Sequence, residues 1–142
     1  MVRPTPPVTL VLVTTDDGRV VYCRKRSFRA RPLVGRIRLH PRGEPAEVTA
    51  LREVKEETGL DAEIVRFMGT HVYDPRPDQI VIAFWVRVTG GVPIAGDDVD
   101  EIEIAPPTRR DCVRRRMHWL VNYLVQNPEA LAASLPRAAL PG

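Results

Sequence analysis

The sequence predicts an α/β fold in which a β-sheet is covered by helices. Segments of strand length, rich in β-branched and apolar residues, stand before and after one acidic helical segment. Residues 80–88 are almost continuously apolar, which is typical of a central strand buried on both faces. A second helical pattern follows near the end of the chain. Strands on both sides of one helix, with another long helix after them, indicate a layered sheet-and-helix architecture.

The first half begins with a predicted hairpin. Residues 8–15 are rich in β-branched and apolar types, and residues 16–19 (Asp-Asp-Gly-Arg) form a turn signal. Residues 20–26 are therefore expected to return as the antiparallel partner. After the hairpin, residues 27–43 indicate a basic loop, with a short strand at residues 37–39.

A helix is predicted over residues 45–58. It opens on a proline, which suits a first helical turn because the missing N–H would have no partner there. Gly59 is expected to end the helix in the left-handed conformation. Val48, Leu51 and Val54 fall on one side of the helix, and we expect that side to pack against the sheet.

The second half supplies the rest of the sheet and the second helical layer. Its predicted elements are short strands at residues 62–68 and 70–73, a turn at 74–78, the central strand at 80–88, a strand at 101–104, a long helix at 108–126 and a helical turn at 128–135. We expect one domain over residues 1–142, with its core at residues 8–126 and a C-terminal extension over residues 127–142.

Composition bounds the class of protein. The chain has 142 residues and a formal net charge of +3, which favours anionic partners. It has no apolar run close to the roughly 20 residues of a membrane span, and no secretory signal is visible. Cys23 and Cys112 lie far apart in the sequence, so free thiols in a reducing cytoplasm are expected.

Glu53, Glu56 and Glu57 share one face of the predicted helix, because a helix turns about 100° per residue. Like charges at this spacing repel by a few tenths of a kcal/mol per pair on an exposed helix. A divalent cation such as Mg²⁺, which prefers oxygen ligands, would offset that repulsion. A solvated acidic face with Arg52 and Lys55 as local partners explains the spacing equally well. The spacing alone leaves both interpretations open.

The stretch from Arg52 to Leu60 resembles the second half of the Nudix hydrolase signature, Gly-x5-Glu-x7-Arg-Glu-U-x-Glu-Glu-x-Gly-U, where U is aliphatic. Glu44 stands at the required distance before Arg52. The positions that follow Arg52 in register are Glu53, Val54, Glu56, Glu57, Gly59 and Leu60. The first glycine of the signature would fall at position 38, where this chain has Arg38.

The resemblance implies an α/β/α sandwich with a mixed β-sheet between helices. It also implies hydrolysis of a phosphoanhydride bond in a nucleoside diphosphate linked to another group, X. The implied cofactor is Mg²⁺, with Mn²⁺ as an alternative, held by Glu53, Glu56 and Glu57. Arg52, Glu53 and Glu57 are the implied catalytic residues of the helix, and Arg52 is expected to orient a glutamate through a bidentate pair. Glu44 is expected to lie near the metal.

Enzymes of this family often carry a further glutamate outside the signature, as a metal ligand or general base. Glu101 and Glu103 are the candidates, and because they stand two apart on a predicted strand they face the same side. We favour Glu101 as a catalytic residue because it lies nearer the flexible loop at residues 96–98. An exposed strand face explains both residues as well.

Two other functions stay open. Arg38 in place of the signature glycine is compatible with a Nudix-fold module that binds a nucleotide without cleaving it. The arginine-rich residues 109–116 would suit nucleic acid, but a solvated helix face is favoured because no aromatic residues interleave with them. The expected partner is therefore a small nucleotide substrate rather than nucleic acid or a membrane, and a homodimer is compatible with the sequence.

Overall fold

A computed structural model describes residues 7–25, 28–31, 33–36, 43–73, 76–96, 99–107 and 119–136. The strands are β1 Val8–Thr14, β2 Val20–Lys25, β3 Phe28–Arg31, β4 Leu33–Arg36, β5 Leu60–Tyr73, β6 Arg76–Gly91 and β7 Glu101–Ala105. The helices are α1 Ala46–Thr58, α2 Trp119–Gln126 and α3 Pro128–Ser134. The predicted α/β fold is confirmed, because α1 covers one face of the sheet and α2 and α3 cover the other.

The sheet is mixed and is centred on β1. One edge of β1 pairs in parallel with β6 along its whole length, from Val8 opposite Val81 to Thr14 opposite Arg87. Its other edge is shared: β4 pairs antiparallel with the first half of β1, and β2 with the last two residues. β5 lies outside β6, and β3 and β7 both pair with β2. The mixed sheet implied by the family signature is therefore present.

Two separate apolar cores lie on the two faces of the sheet. Successive side chains of a strand point to opposite faces, so each strand contributes to both cores. Beneath α1 the buried side chains are Val11, Val13, Val21, Cys23, Phe84 and Val86, against Ala50 and Val54 of the helix. Beneath α2 they are Leu10, Leu12, Val20, Tyr22, Ala83 and Trp85, against Leu120, Val121 and Leu124. A fully buried valine, leucine or phenylalanine side chain contributes about 1.5–3 kcal/mol of transfer free energy relative to an exposed one.

The N-terminal hairpin and both ends of α1 agree with the sequence. β2 returns antiparallel to β1 with Val13 opposite Val21, and the turn between them is closed by Gly18 at φ 84°. α1 follows Pro45, and Gly59 ends it at φ 74°, where its N–H donates to the carbonyl of Lys55 at 2.9 Å. A residue with a Cβ adopts such a φ only at a cost, which is why a glycine stands here.

Residues 27–43 were predicted to form a basic loop, but two strands, β3 and β4, lie within this range. Their basic side chains concealed the strands, since β4 is paired through its backbone to β1 and charged side chains are common on edge strands such as β3. The strand predicted at residues 37–39 lies outside the described residues. So does Arg38. Because a residue with a Cβ restricts the backbone where the signature has a glycine, the sequence predicts that this loop takes another path, with Gly43 and Gly35 making the tight turns. Gly43 has a φ of 63°, in the left-handed region that such a turn uses, whereas Gly35 is a paired strand residue.

The two short strands predicted at residues 62–68 and 70–73 form one continuous strand, β5. Gly69, at φ 95°, sits at an irregularity in the pairing with β6 instead of ending the strand. Gly90 and Gly91 likewise continue β6 rather than stopping it, because they pair with Asp61 and Leu60. β6 begins at Arg76, inside the range 74–78 for which a turn was predicted, and residues 74–75 lie outside the described residues.

The packing side of α1 agrees with the prediction at Val54, which is fully buried, and at Leu51, which packs against the same core, but not at Val48. Val48 is 50% exposed, and the side chains that pack inward are those of Thr49, Ala50, Val54 and Glu57. The side of α1 that faces the sheet therefore runs through Thr49, Ala50 and Val54, and Val48 lies outside it.

The C-terminal helices agree with the sequence where the structure describes them. Leu120, Val121 and Leu124 are buried as predicted, and α3 is the expected short helix. Residues 108–118 and 137–142, which include the start of the predicted long helix and the end of the predicted C-terminal extension, lie outside the described residues. Among the described helices, none is both long and apolar enough to cross a bilayer.

Candidate active site

Arg52 stands at the centre of a charged cluster on the outer side of α1. Its Nε lies 3.2 Å from both carboxylate oxygens of Glu44, and its Nη2 lies 3.0 Å from Oε1 of the same residue. Its Nη1 donates to Glu53 at 3.0 Å and to Glu56 at 3.0 Å. One guanidinium therefore holds three carboxylates at once, and the bidentate pair that we expected for Arg52 is made with Glu44.

Local sequence explains how these side chains meet. Arg52 and Glu56 are four apart on α1, so they lie one above the other on the same face. Glu44 stands two residues before Ala46, the first residue of the helix, and accepts a hydrogen bond at its Oε1 from the Thr49 hydroxyl at 2.6 Å. Thr49 is fully buried, so it fixes the carboxylate from the sheet side while Arg52 fixes it from outside.

The cluster is electrostatically biased toward cations. The hydrogen bonds that the Arg52 guanidinium donates to Glu44 raise its pKa above the usual value, with further contributions from Glu56 and Glu53. Arg52 is therefore positively charged at every working pH, but three carboxylates against one guanidinium still leave a net negative charge. Such a site attracts a further positive charge rather than a bare anion.

Glu57 lies on the sheet-facing side of α1. Its residue is only 8% exposed, and it follows Ala50 and Val54 on the buried face of the helix. A carboxylate so placed costs free energy unless it is hydrogen-bonded, paired with a positive charge or bound to a metal. The structure thus brings Glu44, Glu53 and Glu56 together around Arg52 and holds Glu57 at the inner edge of the same helical turn.

The donor set fits a hard divalent cation in its chemistry. Carboxylate oxygens are the ligands that Mg²⁺ and Mn²⁺ prefer. In this conformation Arg52 Nη1 contacts both Glu53 and Glu56, and so occupies the kind of position that a cation takes between two carboxylates. Among the described residues, no three His, Cys, Asp or Glu side chains converge closely enough to form a ready metal cage.

Glu101 and Glu103 lie on the other face of the sheet. The two isoleucines of β7 pack into the core beneath α1, whereas Ala105 packs into the core beneath α2. Because side chains alternate along a strand, Glu101 and Glu103 share the face of Ala105. Glu103 is also paired with Tyr22, which belongs to the core beneath α2. The structure therefore does not bring Glu101 to the glutamates of α1.

Sequence reasoning missed the segment that closes the end of α1. Residues 92–96, here called the strap, follow β6 and run directly against the last turn of the helix. The N–H of Ile94 donates to the carbonyl of Thr58 at 2.8 Å, and the N–H of Gly96 donates to the carbonyl of Glu57 at 2.9 Å. The only sequence signal for this contact was Gly96 itself, which we interpreted as part of a polar loop.

Comparisons with known proteins agree with this geometry. A family model described as NUDIX domain matches residues 4–120. A protein named ADP-ribose pyrophosphatase, from Methanocaldococcus jannaschii, is 42% identical over 64 residues, which are 43% of this chain and 38% of that protein. The match therefore spans well under half of the length of that curated relative.

Solved structures share the fold at low sequence identity. A NUDIX-family hydrolase from Clostridium perfringens superposes with a TM-score of 0.64 at 19% identity, covering 89% of this chain and 95% of that one. A structure described as an ADP-ribose pyrophosphatase, from Streptococcus suis, gives a TM-score of 0.62 at 18% identity, covering 94% and 95%. At these identities the likeness establishes the fold alone.

Proposed function

The chain belongs to the NUDIX family, and from that premise we propose that it hydrolyses a phosphoanhydride bond in a nucleoside diphosphate linked to another group, X. The proposal includes a requirement for Mg²⁺ or Mn²⁺. Its main support is the cluster in which Glu44, Glu53 and Glu56 surround Arg52 on the outer side of α1. The side chains of Arg52, Glu44 and Glu53 are only 15–21% exposed, and holding carboxylates in such partly covered positions costs free energy unless they are paired or bound to a cation.

In the proposed reaction the oxygen of a water molecule forms a bond to one phosphorus of the diphosphate. The bond between that phosphorus and the bridging oxygen breaks, and the bridging oxygen leaves with the other phosphate. The proton of the water passes to a base. The products are a nucleoside monophosphate and the phosphate of X. A bound divalent cation supplies charge neutralisation at the phosphates and lowers the pKa of a coordinated water.

The residues of the chain divide this work. Glu53, Glu56 and Glu57 are proposed to hold the cation, and all three lie on the last two turns of α1. Arg52 is proposed to position Glu53 and Glu56 rather than to bind substrate, because its donor groups already contact three carboxylates. Glu44 in turn is proposed to hold Arg52 in place through the bidentate pair.

The base is proposed to be one of the α1 glutamates. A base must lie within hydrogen-bond reach of the proton that it takes, directly or through one water. The role predicted for Glu101 stays a prediction, and the register of β7 argues against it, since Glu101 lies on the sheet face opposite to α1. Glu57 is the stronger candidate, because its carboxyl lies in the least solvated position of the three.

ADP-ribose is the first substrate to test, because the local match of 42% identity is to a protein named for that activity. Hydrolysis of ADP-ribose, a nucleotide sugar, a nucleoside triphosphate and a dinucleoside polyphosphate should be measured with Mg²⁺, with Mn²⁺ and with a chelator. We expect turnover of at least one compound with metal, none with chelator, and release of two phosphate-bearing products from a diphosphate substrate. Failure to cleave any of them would reject the hydrolase.

The alternative of a nucleotide-binding module is resolved by the same panel. Calorimetric titration of each nucleotide into the chain measures affinity independently of cleavage. Binding without turnover would favour the module, whereas turnover rejects it. A cytoplasmic location and a homodimer stay predictions. Cys23 is a free thiol, as expected for a reducing compartment, and Cys112 lies outside the described residues.

A further inference from the structure

The C-terminal end of α1 is held by a distant part of the chain. The last four carbonyls of a helix have no partner within the helix and need donors from elsewhere. In α1 the carbonyl of Lys55 accepts from Gly59, but those of Glu57 and Thr58 accept from Gly96 and Ile94 of the strap. The helical turn that carries the proposed metal ligands is thus tied through its backbone to residues 92–96.

This contact leaves no room for a side chain at position 96. A Cβ added to Gly96 would lie 2.8 Å from the Cα of Glu57 and 2.9 Å from the carbonyl carbon of Glu56, and nearer still to the Glu56 oxygen. Because these are backbone atoms, no rotamer change can relieve the overlap. Either the strap or the last turn of α1 must move. Gly59 and Gly91 make similarly close backbone contacts beside it, so the whole junction is packed backbone against backbone.

We propose that the strap positions the carboxylates of Glu56 and Glu57 for a divalent cation, and that Gly96 is the positioning residue. The inference rests on the function proposed above. Both glutamates are carried by the backbone that Gly96 touches, so any displacement there is passed to their side chains. Mg²⁺ demands near-ideal octahedral geometry, and a misplacement of about 1 Å can cost about 10²-fold in rate.

Two glycine-to-alanine variants provide a matched test. Gly96→Ala forces the overlap with α1, whereas a Cβ on Gly90 would lie 3.7 Å from a carboxylate oxygen of Asp61, an ordinary contact. Neither glycine has a φ in the left-handed region, so the two variants differ mainly in available space. Calorimetric titration with Mn²⁺ reports binding without turnover, and steady-state hydrolysis of ADP-ribose reports kcat and KM separately.

We expect Gly96→Ala to weaken Mn²⁺ binding at least tenfold and to lower kcat by about 10²-fold, with a smaller change in KM. Gly90→Ala should match the parent within about twofold. Val121→Ala, a cavity variant in the core on the other face, controls for stability. If it loses Mn²⁺ affinity in parallel with its stability, as Gly96→Ala does, the role of Gly96 is structural only and the inference fails.

The remaining outcomes of these experiments separate failure of the inference from failure of the proposed function. A folded Gly96→Ala protein that binds Mn²⁺ as tightly as the parent overturns the inference while the proposed function stands. A parent chain that neither binds Mn²⁺ nor cleaves any nucleotide overturns the proposed function, and the inference falls with it. If Gly96→Ala does not fold, Ile94→Pro replaces it, because it removes the N–H that donates to Thr58 at an exposed position. Parent-like Mn²⁺ binding by that variant overturns the inference.

Discussion

The two faces of the sheet hold their helices by different means. α2 packs through buried aliphatic side chains, with Leu120 and Leu124 almost fully enclosed. α1 packs through the smaller side chains of Ala50 and Val54, and its last turn is also tied to the strap by backbone hydrogen bonds. The ion pairs of Arg52 fix the carboxylates on the outer side of the same helix. Both arrangements are stable solutions for a helix on a sheet, but they respond differently to substitution.

The difference indicates where function can reside. Side-chain packing tolerates exchanges that conserve volume, because neighbouring rotamers adjust. Hydrogen bonds between backbone groups and bidentate ion pairs require defined donor and acceptor directions, so they do not adjust in this way. The α1 face therefore holds its carboxylates at set positions, as a metal site requires, while the α2 face supplies mainly stability. The predictions below test this division.

The largest effect is expected from Glu56→Gln combined with Glu57→Gln. The double variant keeps side-chain shape but removes two of the proposed metal ligands. Turnover should fall by about 10²–10⁴-fold, which corresponds to roughly 2.7–5.4 kcal/mol of barrier. The stabilisation by Mn²⁺, about 2.7 kcal/mol at a concentration of 100 Kd, should also vanish. Thermal unfolding with and without Mn²⁺ measures the second effect.

The control for this variant is Glu63→Gln with Glu129→Gln, which makes the same change in net charge at glutamates of β5 and α3. It should respond to Mn²⁺ as the parent does. If the Glu56/Glu57 variant keeps the full response to metal, the assignment of the metal site to α1 is wrong.

Leu124→Ala should give the next largest effect, on stability alone. Leu124 lies on the buried side of α2 and is 1% exposed. Truncation of such a leucine usually costs about 2–5 kcal/mol of unfolding free energy. Because the cavity lies on the face opposite to α1, kcat per folded molecule should stay within about twofold of the parent. Urea unfolding and initial rates at low temperature separate the two quantities. A large fall in kcat would show that the faces are coupled.

Arg52→Lys is expected to have an intermediate effect. A lysine keeps the charge, but its single ammonium group cannot span Glu44 on one side and Glu53 and Glu56 on the other. At least one carboxylate is then released, and kcat should fall by about tenfold, or roughly 1.4 kcal/mol. Arg87→Lys, in an ion pair with Glu63 away from α1, is the matched control and should change kcat little. Equal effects of both variants would remove any special role for Arg52.

The α1 region was predictable because its signals are local. The spacing of Arg52 and the glutamates, the proline before the helix and the glycine after it all lie within one short stretch. The predicted helix bounds and its left-handed cap are confirmed. The predicted packing side of α1 is confirmed at Leu51 and Val54 and was wrong at Val48, whose apolar character placed it on a side that the helix leaves in solvent.

The features that sequence reasoning missed depend on contacts between distant parts of the chain. β3 and β4 are specified by backbone pairing with β2 and β1, which a basic composition does not reveal. The contact of Gly96 with α1 joins residues far apart in sequence, so the local hydrophobic pattern could not predict it. The face on which Glu101 points depended on the register of β7 against β2, since a shift of one residue reverses every side chain.

The smallest effect is expected from Glu101→Gln, which tests that register directly. Glu101 is exposed on β7, on the face of the sheet away from α1. It cannot reach a water bound at the glutamates of α1 unless the strand changes its register, so turnover should change by less than about twofold. Glu103→Gln, on the same face, should behave alike. A general base that is lost costs about 10²–10⁴-fold, so the two outcomes are well separated. A fall of that size in Glu101→Gln alone, with parent-like Mn²⁺ binding, would move the base to β7 and break the division between the two faces.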